Sequence, residues 1–429
     1  SLSVDDETLL NEEQWHKFAE GCKKNSGAEG YFHKIFGDEH SVNSYINSWA
    51  KLSDEKKVLL FISIKKDIVR CNNNILQLAI SNCPRISDFP VHAYKSLLLC
   101  DQKGKDYWSL YEERRDLILA IGTSEHLANE YCNIVETKGA SGLYFLTDLT
   151  KAERKLTIKL IALYADQIER KDILSILKHT YKDLWAYLRK YDYKIKDIEK
   201  YFDEYKWLKV ENLISQSFLE RVEIEAKERN FYRILPPRSE QLGKLKKENS
   251  ILYFLDALGV EYLSFIAQKA AELHLMMNVI ICHSELPSIT SMNKEFVDVF
   301  KQANADVRDN IKELDDIKHS GTLEYNYAKS IYPTYLADEL SIISDVLEKI
   351  DADITSTYER AYIISDHGAS RLAVLKHSET KWEMLNKGEH CGRCCKKSDN
   401  VVDVPNEYMT EDNGYWVLAN YDMFKGGRP

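Results

Sequence analysis

The chain has 429 residues, 44% of them hydrophobic, and a formal net charge of −10. This length allows two or three domains with real cores, and the acidic balance excludes a broad electrostatic nucleic-acid clamp while leaving room for a local basic groove. No apolar run approaches the roughly 18 residues of a membrane span, and the acidic opening SLSVDDETLL reads as neither a secretory signal nor a transit peptide.

Residues 1 to about 235 predict helices. The stretches 58–68 and 107–120 are apolar with interspersed charges and lack β-like alternation. Thr150-Lys151-Ala152-Glu153 is a capping-box pattern, and Leu156, Leu160, Leu163 and Ile168 follow on one face. The 26 tyrosines fall mostly at helical spacing, as packing residues do. This gives a helical N-terminal region over 1–140 and a helical middle region with a linker over 141–240. The linker is ILPPRSEQLGKLKKENS, 234–250, with two prolines, a glycine and a lysine cluster.

The pattern then changes, over 241–429. ILYFL, 251–255, is short and wholly apolar, the mark of a strand buried on both faces, and it ends at Asp256. Residues 259–275 predict a helix with Tyr262, Leu263, Ile266, Ala270 and Leu273 inward. MNVIIC, 277–282, predicts a second strand. A strand, a helix and a strand make a βαβ unit and imply a parallel sheet. Pro333 precedes an amphipathic helix with Leu336, Leu340, Ile343, Leu347 and Ile350 in phase. A last apolar run, Tyr362-Ile363-Ile364, stops at Asp366-His367. The expected fold of this half is α/β, a mostly parallel sheet flanked by helices.

Ligands of open parallel sheets bind beyond the carboxyl ends of the strands. Three such ends carry chemistry: Asp256, the loop HSELPSITSMNK (283–294), and Asp366-His367. Taken singly, these are a helix cap, a turn and a lone motif; arriving at one edge, they make a site. Two carboxylates and an imidazole suit Zn²⁺ or Mn²⁺. A hydroxyl among them would be activated by coordination.

YFLDALG, ELPSITSMNK and IISDHGASRL together resemble the PglZ proteins, members of the alkaline phosphatase superfamily found in BREX phage-defence systems. The likeness is to the type-4 branch and covers roughly residues 145 to 429. Asp-His-Gly is common to the superfamily, whereas Asp-Ala-Leu-Gly and Asp-His-Gly-Ala-Ser-Arg are more specific. The resemblance implies an alkaline-phosphatase-like core with two divalent metals, usually zinc, with manganese or magnesium as alternatives. It also implies hydrolysis of phosphoric esters through a Ser/Thr nucleophile, in the cytoplasm, alongside other BREX defence proteins and off the membrane. A nucleic-acid or nucleotide phosphodiester suits the defence context, although no base-reading motif is visible.

Carried over by motif, Asp256 is the first metal-binding aspartate, and Asp366 and His367 are the paired ligands sharing its metal. Thr290 is the nucleophile and a further ligand, with Ser291 and Ser288 as alternatives. Arg371 faces phosphate or makes a surface salt bridge. For the second metal, Asp315 and His319 stand at i and i+4 on a helix and can reach one ion; a charged solvated helix end is the other reading, and Tyr335, Asp338 and Glu339 are a rival source. The late histidine of relatives, after a glycine-rich segment, is not in the sequence. That departure supports a second expectation, a catalytically incomplete scaffold whose helical N-terminal half binds other defence subunits.

Nine scattered cysteines, an odd number, suit reduced thiols in a cytosol better than a disulfide framework. His390, Cys391, Cys394 and Cys395 could supply zinc ligands, with Cys282 or His283 completing the set, or form a tight turn of reduced thiols. His274 and His377 read as packing and surface residues.

Overall fold

The computed structural model describes residues 8–37, 45–319, 331–376, 378–384, 392–399, 402–403 and 405–427, except the side chains of 309, 310, 318, 319 and 399. The chain divides into two compact units, residues 1–160 with 178–181, and residues 161–177 with 182–429.

The described part of the first unit is helical: α1 (Glu12–Lys24), α2 (Ala28–Phe36), α3 (Asp54–Lys65), α4 (Asn74–Ser81), α5 (Phe89–Lys95), α6 (Tyr107–Ile121), α7 (Glu125–Glu136) and most of α8 (Lys151–Leu163). The side chains of Asn11, Ser53, Asn73 and Ser124 each accept a backbone N–H at a helix start, satisfying donors that the helix cannot. Val58 to Ile64 of α3 are buried on every side, so α3 runs through the middle of this unit. The capping box at Thr150 forms by half. The Glu153 N–H donates to Thr150 Oγ1 at 3.3 Å. The Glu153 carboxylate instead accepts from Thr147 Oγ1, Thr150 Oγ1 and the fully buried Arg114 guanidinium. A buried cation left without an anion costs several kcal/mol, and that outweighs one cap hydrogen bond.

The second unit begins with helices that include α9 (Lys182–Leu188), α10 (Lys196–Glu211), α11 (Gln216–Glu228) and α12 (Arg238–Leu242). The helices of 182–240 fall in the same compact unit as the sheet. Then follow β1 (Ser250–Leu255), α13 (Leu263–Glu272), α14 (Glu295–Gln302), β2 (Asp306–Ile311), α15 (Glu313–His319), α16 (Leu336–Ser356), β3 (Arg360–Ile364) and α17 (Arg371–Lys376). Five short strands close the chain: β4 (Ser378–Glu383) parallel to β8 (Asp422–Lys425), and β5 (Cys394–Lys396), β7 (Tyr415–Leu418) and β6 (Met409–Asp412) as an antiparallel sheet in that order.

The main sheet is parallel and ordered β2-β1-β3, with Ile251 opposite Asp306 on one side and Ala361 on the other. All six residues of β1 are buried. Leu252 and Phe254 pack on Phe296, Val297 and Phe300 of α14, while Tyr253, facing the other way, donates its hydroxyl to Asp353 of α16. Helices thus cover both faces, as the apolar run requires.

The strand expected at 277–282 does not form. Both edges of β1 are already paired, by β2 and β3, so MNVIIC has no place beside it. The segment is irregular, with Met277 and Ile280 exposed. β2, DVRDNI, is too polar to stand out by composition; an edge strand tolerates that because it needs only one apolar flank.

Buried charge ties the helices behind the sheet together. Glu339 Oε2 of α16 accepts from Lys209 Nζ of α10 at 3.0 Å and from the Tyr262 hydroxyl at 2.6 Å, and all three residues are fully buried. Removing the anion takes the nearer carboxylate from a buried ammonium group and leaves it Glu261 at 3.9 Å. Glu339→Ala is expected to cost about 3 kcal/mol, measured as a lower urea midpoint, whereas the double variant Lys209→Met/Glu339→Leu should recover part of that loss.

Candidate metal centre

Parallel pairing puts the carboxyl ends of all three strands on one edge, and each end delivers an acid. Asp256 follows β1 directly, its N–H still donating to Ile311 of β2 at 3.2 Å. Asp315 lies in the first turn of α15, just past β2. Asp366 and His367 follow β3. The loop with Thr290 arrives at the same edge without the strand expected to lead into it.

The side chains converge. One ligand atom each from Asp256, Asp315 and His367 lie within 4.8 Å of one another. His367 Nε2 is 3.6 Å from Asp256 Oδ1 and 3.4 Å from Asp366 Oδ2. Thr290 Oγ1 is 3.5 Å from Asp256 Oδ1 and 3.4 Å from His367 Nε2. Asp256 and Asp366 are buried, and Thr290, Asp315 and His367 half-buried.

Local backbone chemistry holds this arrangement. Ala257 adopts a left-handed conformation, φ 59°, strain of about 1–3 kcal/mol that ordinary turns avoid. There its N–H donates to Asp366 Oδ1 at 3.2 Å, and the next N–H, of Leu258, donates to Ser365 Oγ at 2.9 Å. A Cβ on Gly368 would lie 3.2 Å from Gly259 Cα, so the two motif glycines mark a close approach of backbones. Asn293 is fully buried and organises the Thr290 loop, its amide donating to the carbonyls of Glu285, Pro287 and Ile289.

The proton inventory points to a cation. His367 Nδ1 lies 3.0 Å from the Gly368 carbonyl. A carbonyl only accepts, so Nδ1 carries a ring proton, and Nε2 is the nitrogen that faces the carboxylates. Among the described residues Asp366 Oδ2 is buried and has no hydrogen-bond donor. Its neighbour at 3.4 Å is His367 Nε2. The Thr290 hydroxyl offers a single proton to this set. Burial, with the charges of Asp366 and Asp315 adding to it, pushes the Asp256 carboxyl up to about 6. Donors about 2.0–2.1 Å from a tetrahedral Zn²⁺ stand about 3.3 Å apart, close to the spacings seen. The residues fit a divalent ion, with Asp256, Asp315, Asp366 and His367 able to hold it.

Other expected residues lie elsewhere. Arg371 is fully buried, donates to Asn212 Oδ1 at 3.2 Å and to the Ile331 carbonyl, and lies over the Tyr335 ring. Its burial keeps it from the surface, and it does not line the cavity at the cluster. Asp315 joins the cluster of Asp256 and His367 instead of a separate set; the side chain of His319 is outside the described residues. Glu339 is committed to Lys209 and Tyr262, and Tyr335 packs against cations. Ser288 and Ser291 are exposed, leaving the Thr290 hydroxyl as the one in the cluster. Cys394 and Cys395 are buried in β5, opposite Val417 and Trp416, while His390, Cys391 and His377 fall outside the described residues. His283 stacks near Tyr232, ring centroids 4.0 Å apart.

Residues 1–164 match a domain of unknown function, DUF7863. No curated protein and no solved structure matches the chain. Every residue of the cluster lies outside the matched segment.

Asp256→Asn removes one of three crowded acids. In chelator at pH 7 it is expected to stabilise the protein by about 1–3 kcal/mol. The folded carboxyl titrates higher than the unfolded one, so the penalty on wild type is complete above about pH 6 and fades toward pH 4. Mn²⁺ should raise the melting temperature of wild type and leave that of Asp256→Asn nearly unchanged.

Proposed function

We propose that the second unit is a divalent-metal-dependent hydrolase of phosphoric esters, built on an alkaline-phosphatase-like core, with Thr290 as its nucleophile. The observation that carries this reading is the Thr290 hydroxyl set 3.5 Å from Asp256 and 3.4 Å from His367, at a cavity of about 1840 Å³ lined by Thr290, His367, Asp315 and Asp366. Bound there, a divalent ion supplies positive charge that favours the alkoxide of Thr290 and offsets the charge of a phosphoryl group.

In the proposed cycle, Thr290 Oγ1 attacks phosphorus and the bond to the leaving oxygen breaks. The hydroxyl proton is within reach of Asp256 Oδ1. The proton taken by Asp256 passes to the leaving oxygen; water then attacks the phosphothreonine, the bond from phosphorus to Thr290 Oγ1 breaks, phosphate or a phosphomonoester is freed, and a proton of the water returns to Thr290. Asp366 and His367 would hold the ion in place, and the Ala257 and Leu258 amides hold their loop. Positive charge for the phosphate would come from the wall of the same cavity, which includes Arg229, Lys244 and Lys246. The described residues offer one group of at least three His, Cys, Asp or Glu ligands, and the proposal is for one ion, Zn²⁺ first and Mn²⁺ or Mg²⁺ as alternatives.

The likeness of three motifs to PglZ proteins extends the proposal to a cytoplasmic role in BREX phage defence, with other defence proteins as partners and nucleic acid or nucleotides as substrate. A non-catalytic scaffold is the rival, and one assay separates them. Turnover of bis-p-nitrophenyl phosphate with Zn²⁺ or Mn²⁺ should vanish on chelation, return with metal, and fall more than ~10³-fold in Thr290→Ala. Chelator-insensitive or Thr290-independent turnover overturns the hydrolase reading; metal binding with no turnover assigns the chain to the scaffold.

A further inference from the structure

Arg238 sits at the start of α12, inside the stretch that reads as a linker. Its side chain is only 10% exposed. Nε and one terminal nitrogen fork onto the Glu295 carboxylate at 2.9 Å each. The other contacts go to the two loops of the candidate centre. Nη1 donates to the carbonyls of Ser365 at 3.2 Å and Asp366 at 3.1 Å, and Nη2 donates to Asn293 O at 2.9 Å and Oδ1 at 3.1 Å. The guanidinium also lies over the Phe296 ring, 5.2 Å from its centroid. All its donor directions are used, and a planar five-donor fork is what this geometry needs.

Those contacts join elements far apart in the chain. Asp366 belongs to the loop after β3. Asn293 closes the loop that carries Thr290, and the Arg238 contact to its Oδ1 shares that oxygen with the Glu285 N–H. An ion pair serving stability alone would be complete with Glu295. We propose that Arg238 is a positioning residue for the metal centre, fixing the distance between the Asp366–His367 loop and the Thr290 loop. This rests on reading the site as a metal-dependent hydrolase. Lysine at 238 would keep the charge and lose the fork, releasing one loop or the other.

The test compares wild type, Arg238→Lys, Arg238→Ala and Glu295→Gln, each checked for folding by circular dichroism. Mn²⁺ affinity is measured by calorimetry, and kcat and KM for bis-p-nitrophenyl phosphate are measured well below each melting temperature. Arg238→Lys is expected to bind Mn²⁺ roughly 10- to 100-fold more weakly and to lose kcat more than KM. Glu295→Gln, which keeps the loop contacts, should stay within about threefold of wild type. Added guanidinium ion should restore part of the Mn²⁺ affinity of Arg238→Ala. A folded Arg238→Lys protein with Mn²⁺ affinity within about twofold of wild type overturns the proposal. So does an equal loss in Glu295→Gln, or failure of both Arg238 variants to fold, either of which makes the residue a support of the fold alone. Wild type that binds no Mn²⁺ defeats the metal reading itself, and this inference falls with it; wild type that binds while the variants match it defeats the inference alone.

Discussion

Three parallel strands in the order β2-β1-β3 impose the constraint on which the site depends. Parallel pairing sends every carboxyl end to one edge. Acids that are 110 residues apart in sequence, Asp256 and Asp366, meet because their strands are neighbours in register. The cost is electrostatic: three carboxylates crowd a half-buried corner beside an imidazole, where like charges repel and solvation is thin. A site that stores repulsion in this way is organised for a partner of opposite charge.

The surrounding structure keeps that repulsion from opening the corner. The left-handed Ala257 and its neighbour Leu258 aim two amides at the loop after β3. Asn293 braces the Thr290 loop from within through three carbonyls. Behind the sheet, the Lys209–Glu339–Tyr262 cluster joins α10 to α16. Each device uses buried polar groups whose hydrogen bonds are directional, and apolar packing alone would leave the loops free to slide.

The parts of this architecture written in local pattern were legible in the sequence. The helices of residues 1–235, the buried strand ILYFL, the helix with Leu336 to Ile350 in phase, and Asp256, Thr290, Asp366 and His367 at one edge all follow from periodicity and motif. What was not legible depends on pairing between distant segments. MNVIIC has strand composition yet stays irregular, since β2 and β3 flank β1. The strand that does pair, DVRDNI, is polar enough to pass for a loop. Asp315 reads as half of a separate helical pair, because nothing local says that β2 will carry it to Asp256. Arg371 reads as a phosphate ligand or a surface ion pair by its place after the motif; its burial against Asn212 and Tyr335 is a matter of tertiary packing. Arg238, in a proline-rich stretch, carries no local sign of the loops it touches.

The contact between Gly259 and Gly368 has a bearing on how the two motifs are to be understood. Asp-Ala-Leu-Gly and Asp-His-Gly are separate words along the chain, but their final letters touch, with no room for even a methyl group without a shift of a few tenths of an ångström. A side chain at Gly368 would act as a wedge against the Gly259 backbone, prising apart the loops that carry Asp256 and Asp366 while leaving every side chain of the cluster chemically intact. At Gly259 the obstacle is a different one, since a Cβ there would run into the Glu261 carboxylate.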